Sequence, residues 1–451
     1  MDITPEELQR RNELALRRAE LEALEPIDFA TLETNIRKWM LIEDPGAIKF
    51  LCACYVANHL KRDALWVHFI GASGSGKTEL LGMFLDLEDI YLIDMLTPQT
   101  FLSGMPGRND ASLLPQLNGK IMIFKDFTIV MSQNKDAKNE IMGQLRGIYD
   151  GHLKKPFGNG KVREWKGKVG LITGVTTMVD FTQQATTALG ERFIHYRVIT
   201  PDRIEVATRA MNNGDHQDEM RKDMRNSGYA WRKSLDYETE LPTLSKEVEM
   251  ELVRVANFTA LARSVVIRDF GFKKEIIFVP ASEMPTRLSQ QLKTLAVSCM
   301  VVNGGKFVEE DMKNVVYKAA LDSVPQTNMM VCKQMAQQDE QTTKEIATAL
   351  DYPTDPIRTY LENLSMLGVC KRIRGQDSEA GGNADKWTIN PQFGEILKHH
   401  KLVILPEPIS AEEQDKLLNE GQAALKEEFP EGMVEEEHNR IMEEIEPDLG
   451  L

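Results

Sequence analysis

Gly71-Ala72-Ser73-Gly74-Ser75-Gly76-Lys77-Thr78 carries the most specific chemistry in the chain. The apolar run Ala64-Leu65-Trp66-Val67-His68-Phe69-Ile70 precedes it, and Glu79-Leu80-Leu81-Gly82-Met83-Phe84-Leu85 continues it as a helix. A G-x-x-x-x-G-K-T loop between a buried strand and a helix is a phosphate cradle. Its glycines let the backbone wrap closely around phosphates, and its exposed N–H groups supply partial positive charge. Lys77 is expected to reach the β- and γ-phosphates, and the Thr78 hydroxyl to hold Mg²⁺. The expected ligands are therefore ATP and Mg²⁺, held by Gly71 through Thr78 with Glu79 beside them.

Such a site needs an acid at the end of an apolar strand, to orient Mg²⁺ and activate water. Ile121-Met122-Ile123-Phe124-Lys125-Asp126-Phe127 supplies one, so Asp126 is the candidate for both metal and catalysis. The usual order is Asp followed by Glu; here a Lys precedes a single acid. Either one carboxylate does both jobs, or Asp126 is the base and Lys125 stands at the metal position. With this departure from the usual order, slow hydrolysis or ATP used as a switch stays an open alternative.

Gly151 to Lys166 reads as a hairpin turning at Gly158-Asn159-Gly160, residues that tolerate positive φ. Six Lys/Arg and one Glu lie between His152 and Lys168. Lys154, Lys155, Lys161 and Arg163, interleaved with Phe157 and Trp165, suit phosphate contacts and base stacking on DNA. The plainer alternative is an exposed hairpin kept soluble by lysines.

The order of these parts resembles the AAA+ ATPases that carry a hairpin before sensor 1. That clade includes minichromosome-maintenance helicases, magnesium-chelatase subunits and bacterial enhancer-binding activators. Val169-Gly170-Leu171-Ile172-Thr173-Gly174-Val175-Thr176 is similar to their sensor-1 strand, which places Thr176 at the polar sensor. Gly190-Glu191-Arg192-Phe193 is similar to the helicases' Ser-Arg-Phe, whose Arg is a finger inserted into a neighbouring subunit's ATP site. The resemblance gives Arg192 that role, with Arg197 in reserve. Pro285-Thr286-Arg287-Leu288-Ser289-Gln290-Gln291-Leu292 resembles the sensor-2 helix, so Arg287 would touch the γ-phosphate from a helical lid. The likeness spans about residues 45–325. Trp66–Leu81 with Lys125-Asp126-Phe127 also looks like phage and plasmid replication ATPases. An Arg acting in trans makes the active site a property of a homo-oligomeric ring, commonly a hexamer.

The elements that must position these residues are legible in outline. Residues 6–25 and roughly 46–62 read as helices; Ile90–Ile93, Lys120–Phe124, Val169–Thr173 and Phe193–Ile199 read as strands. Strands alternating with helices to about residue 200 imply an α/β layer fold with a parallel sheet. Residues 201–325 read as a mostly helical lid. In 326–400, two short helices precede Val369–Arg374 and Lys386–Ile389, a pattern similar to a winged helix-turn-helix. Arg358, Lys371, Arg372 and Arg374 are its candidate DNA contacts, and docking of a protein partner is the equal alternative.

Composition sets the limits. The 451 residues include 42% hydrophobic residues, ample for real cores. Net charge is −15, and residues 401–451 alone hold 15 Asp/Glu against 4 Lys/Arg. The body is near neutral, and the acidic tail is expected to be disordered or a marginal helix and to act mainly as a solubiliser. Five scattered cysteines form no zinc pattern and fit a reducing compartment. No apolar run approaches a membrane span and the first residues are unlike a signal peptide, so the expectation is a cytoplasmic protein.

The expected organisation is thus a helical segment 1–44, a P-loop AAA+ core 45–200, a lid 201–325, a winged helix 326–400 and a tail 401–451. The expected function is a ring-forming, ATP-driven DNA motor, helicase-like, in replication of a phage or mobile element. The alternative is an AAA+ switch that remodels a protein partner.

Overall fold

A computed structural model describes residues 4–103, 112–158, 160–180, 192–199, 202–237, 240–269, 275–375 and 384–399. The chain divides into two units, Met1–Gln133 with Ala137–Val403, and Asn134–Asp136 with Ile404–Leu451. Nearly all described elements belong to the first; the acidic tail lies outside the described residues.

The centre is a five-stranded parallel sheet of β1 (Trp66–Ile70), β2 (Ile90–Ile93), β3 (Ile121–Phe124), β6 (Gly170–Val175) and β7 (Phe193–Arg197). Its order is β2-β3-β6-β1-β7, every neighbouring pair parallel. Residues of β1 and β3 are buried throughout, which explains why both read as continuous apolar runs rather than alternating ones. β6 lies between β1 and β3, so the glycine loop after β1 and the acid after β3 flank one strand end.

Three contacts lock that edge. The Gly71 N–H donates to Val175 O (3.2 Å) and the Phe127 N–H donates to Gly174 O (2.9 Å). At Gly174 a Cβ would collide with the Lys125 carbonyl oxygen. Glycine there lets the segment after β3 lie flat against β6.

Two cores cover the sheet. On one face, Val67, Phe69, Ile172, Ile194 and Tyr196 pack against the helices Ala47–His59, Lys77–Gly82 and Thr286–Val302. On the other, Trp66, Ile70, Leu171 and Phe193 meet Ile141, Leu145 and Ile148 of the helix Lys135–Tyr149. Leu153 of β4 (His152–Pro156) and Trp165 of β5 (Val162–Lys166) join this second core and pin the hairpin to it.

The sequence reading set the first helix at 6–25 with Pro26 as its stop; it spans Pro5–Glu22. The helix Phe29–Trp39, capped by Asp28 and buried through Leu32 and Ile36, is an element that reading lacked. Helices between Arg203 and Asp322 follow the sheet, interrupted by a small hairpin of β8 (Ile267–Arg268) and β9 (Ile276–Phe278). A third core lies beyond Phe258, around the helices Gln326–Gln337, Thr343–Ala349 and Thr354–Met366. Its sheet has the order β10-β12-β11, from Gln341–Thr342, Lys386–Ile389 and Cys370–Ile373. Thr342 and Glu345 form a capping box that starts its second helix. No helix among the described residues is long and apolar enough to cross a membrane.

Gly174→Ala should destabilise the fold by about 1–3 kcal/mol, the range for forcing atoms into a packed site. Chemical denaturation measures it; an unchanged midpoint would mean that the β3–β6 edge relaxes freely.

Candidate functional site: the glycine loop at the carboxyl edge of the sheet

The loop Gly71–Thr78 leaves the carboxyl end of β1, where open parallel sheets bind ligands. Gly74 and Gly76 hold φ of 76° and 79°, the left-handed region where a side chain is strained. Gly74 has open space around its Cα, while Met40 from the end of the second helix lies over Gly76. The loop is thus shaped by backbone that only glycine adopts cheaply.

Lys77 is 8% exposed. Its Nζ donates to Gly71 O and Ala72 O, both at 2.7 Å, and to Ser75 Oγ at 3.4 Å. Burial pulls its pKa below the ordinary lysine value, and the nearby Asp126 carboxylate pushes the other way. Neutral oxygens of its own loop therefore solvate this cation. Phosphate oxygens offer stronger, charge-assisted partners in the same place.

Asp126 is exposed at the end of β3. Its Oδ1 accepts from the Thr128 N–H (3.0 Å), an Asx turn that holds the carboxylate at the sheet edge. Thr128 Oγ1 lies 3.4 Å from Thr176 Oγ1, just past β6. Lys77, Asp126 and Thr176, far apart in sequence, so meet at one edge. Thr128 is the member that sequence reasoning missed; its signal was the Asp-x-Thr spacing.

Arg221 was missed as well. Both its Nε and its Nη2 donate to the Glu79 carboxylate, at 3.0 and 2.7 Å. It comes from the helix Gln217–Lys233, and no local motif marks it.

The arginines carried over from the resemblance lie elsewhere. Arg192 precedes Phe193, which pairs with Trp66, the first residue of β1. The four steps from Trp66 to Ile70 span about 13 Å. Arg192 is therefore at the opposite edge of the sheet from its own glycine loop. Its guanidinium pairs with Asp150 (3.2 and 2.8 Å) and lies over the Tyr149 ring. Gln291 donates to Tyr149 Oη and to Arg192 O, each at 2.9 Å. Arg287, one turn earlier on that helix, feels the same Tyr149, whose phenol burial pushes up to about 12. Arg287 and Arg192 both act on that phenol. Arg146 is near Arg192 too, its pKa lowered by burial and then by that like charge.

Arg197, the reserve finger, is held inside its chain by Asp180 (2.9 and 2.7 Å) and by Asp322 O (3.0 Å). Gly190 and Glu191 of the finger motif lie outside the described residues.

In the hairpin, Lys154 and Lys161 are exposed and Arg163 is half-buried. Lys155 is turned inward: it donates to Pro98 O (2.9 Å) and to Glu140 (2.8 Å), with only 19% of its side chain exposed. Its charge is already satisfied, which removes it from a DNA surface. In the C-terminal unit, Arg358 pairs with Asp355 (3.3 Å), and Arg372 bonds Asp385 and lies over Trp387. Lys371 and Arg374 are exposed. Arg268 of β8 donates to Asn363 (2.8 Å) and Glu362 (2.9 Å) on the helix Thr354–Met366. All five cysteines are free and buried, with no role at the site.

No protein-family description matches this chain. No curated protein matches it either.

Asp126→Asn should lower the Lys77 pKa further, because it removes the one charge that opposes the burial. NMR titration of the ¹³C-dimethylated lysine reads this directly; an unchanged or raised value would place the carboxylate out of electrostatic reach.

Proposed function

We propose that this chain is an ATPase of the AAA+ type, with a P-loop core, a helical lid and a C-terminal winged helix. The observation that carries the reading is the convergence of Lys77, Asp126 and Thr176 on the glycine loop at the carboxyl edge of the sheet. The donor set fits a triphosphate with magnesium. The loop has glycine-only backbone, Lys77 has only neutral partners, Thr78 is exposed in the first helical turn and one carboxylate stands opposite. Mg²⁺ is commonly held by one or two carboxylates together with phosphates, so a single acid suffices. Thr78 and Asp126 would hold it, and when bound it would neutralise phosphate charge. The protein's own part is electrostatic. Lys77 gives up its loop carbonyls for phosphate, Asp126 orients metal or water, and Thr176 lies within reach of the attacking water through Thr128.

Hydrolysis on this reading needs a second copy. Arg192 stands at the edge remote from its own loop, paired with Asp150, where the nucleotide of a neighbour would reach it. A ring of such subunits would move the exposed hairpin tip, with Lys154 and Lys161, along DNA. Replication of a phage or mobile element is the setting that the sequence resemblance suggests.

Remodelling of a protein partner is the second reading, and one observation favours it. The exposed residues of the helix Thr354–Met366 include Asp355, Arg358 and Met366, with Arg358 already paired to Asp355 and the half-buried Glu362 tied to Arg268. A single exposed arginine, already neutralised, suits a protein surface better than a major groove.

ATPase rate with and without single-stranded and duplex DNA separates the two. The motor reading expects stimulation in wild type, lost in Lys154→Ala/Lys161→Ala; indifference to DNA in both proteins leaves the protein remodeller.

Arg192→Ala should bind ATP normally and hydrolyse it at least about 10³-fold more slowly, the scale of a missing arginine finger. In mixtures with wild type, the loss should exceed the mutant fraction. Activity strictly proportional to wild-type content overturns the action in trans.

A further inference from the structure

The helix Gln217–Lys233 is bolted to the helix that follows the glycine loop. A Cβ at its Gly228 would collide with Met83 O, so the two backbones touch. Met224 and Trp231 are buried in the same core, and Asn35 donates to Ser227 (3.0 Å). Seven residues before Gly228, about 10 Å along the helix axis, stands Arg221. From that fixed base its guanidinium makes a two-pronged pair with Glu79, the residue directly after Thr78. The side chains are 42% and 29% exposed.

This pair is in an unusual place. Glu79 is in the first turn of the loop helix, where its carboxylate is stabilised by the backbone N–H groups. Phosphates seated in the loop stand roughly one helical turn, about 5 Å of rise, from it. They would repel the Glu79 carboxylate and attract the guanidinium. An arginine fork fits a phosphate as well as a carboxylate. An ion pair this exposed is weak, so the exchange has little to overcome. The same helix also fixes Asp223, which accepts from Trp39 Nε1 (2.6 Å) beside Met40, the residue over Gly76. The backbone around Arg221 is therefore held against the loop from two sides.

We infer that Arg221 is a phosphate ligand of this site, kept in place by Glu79: a bound triphosphate takes the guanidinium from the Glu79 carboxylate. The inference rests on the nucleotide reading proposed above. Arg221 is then an arginine from the helical region that senses its own chain's nucleotide. Glu79 sets the affinity by competing for it. No bond is made or broken; one guanidinium exchanges a carboxylate for phosphate oxygens.

Opposite signs test this. The full-length chain is titrated with N-methylanthraniloyl-ATP and magnesium, for wild type, Arg221→Ala, Arg221→Lys and Glu79→Gln, with Lys77→Ala as control. The unfolding midpoint of each is measured without nucleotide. Arg221→Ala should bind about 10–100-fold more weakly, as for a lost charge-assisted contact. Arg221→Lys, which keeps charge but not the fork, should fall between. Glu79→Gln should bind several-fold more tightly than wild type, because it releases the competitor. If Arg221→Ala and Glu79→Gln both keep the wild-type affinity while their midpoints fall together, the pair is only a tie between helices. Weakening in both variants equally overturns the competition. Wild type with no saturable binding, indistinguishable from Lys77→Ala, overturns the nucleotide reading itself, a result separate from losses confined to Arg221 and Glu79.

Discussion

The carboxyl edge of three parallel strands is the constraint on which the site depends. Lys77, Asp126 and Thr176 belong to segments about 50 residues apart in the chain. They meet only because β6 lies between β1 and β3 in register, Ile70 opposite Val175 and Phe124 opposite Thr173. A slip of one residue would turn each strand-end group to the other face of the sheet. The Phe127–Gly174 and Gly71–Val175 hydrogen bonds forbid that slip where it matters. The fully buried strands beneath supply the energy, and the glycines supply the close approach.

Charge is arranged on this frame with a front and a back. At the front, a desolvated lysine is balanced by its own loop oxygens and by Asp126. At the back, Arg192 lies over Tyr149 and pairs with Asp150, Arg287 acts on the same phenol, and Arg146 lies near Arg192. Burial and the Arg192 charge both bear against the charged form of Arg146, with Asp150 opposing them. An anion from outside the chain would offset both. The length of β1 keeps the chain's own phosphates from being that anion. On the ring reading the two edges are complementary halves of one active site, and the parallel sheet is the spacer that keeps them from meeting within a subunit.

The sequence made the core legible where one local rule decided the outcome. G-x-x-x-x-G-K-T after an apolar run, continuous apolar strands and the positive φ of Gly160 each follow from backbone chemistry within a few residues. Strand limits came within two residues, as for Lys120–Phe124 against Ile121–Phe124. What local rules could not show was which end of the sheet a residue reaches. Arg287 was placed by order in the chain, whereas packing of the helix Thr286–Val302 carries it to Tyr149. Lys155 looked like its neighbour Lys154, yet alternation along β4 turns one outward and the other onto Glu140. Arg221 carried no signal because its partner is 142 residues away.

The same distinction bears on what the machine would act upon. A run of six basic residues suggests a DNA surface only if the charges are free. Lys155 is spent on Glu140 and Pro98 O, and Glu164 draws His152 and Lys166. Lys154 and Lys161 stand exposed on the hairpin. In the C-terminal unit, Arg268 ties the helix Thr354–Met366 to the β8–β9 hairpin through Glu362 and Asn363. A helix held in this way on one flank moves with the helical region it is tied to. The pair that ties it leaves only 13% of its arginine side chain exposed. Partial desolvation makes such a link stiffer than a surface ion pair, because breaking it leaves a charge without its solvent.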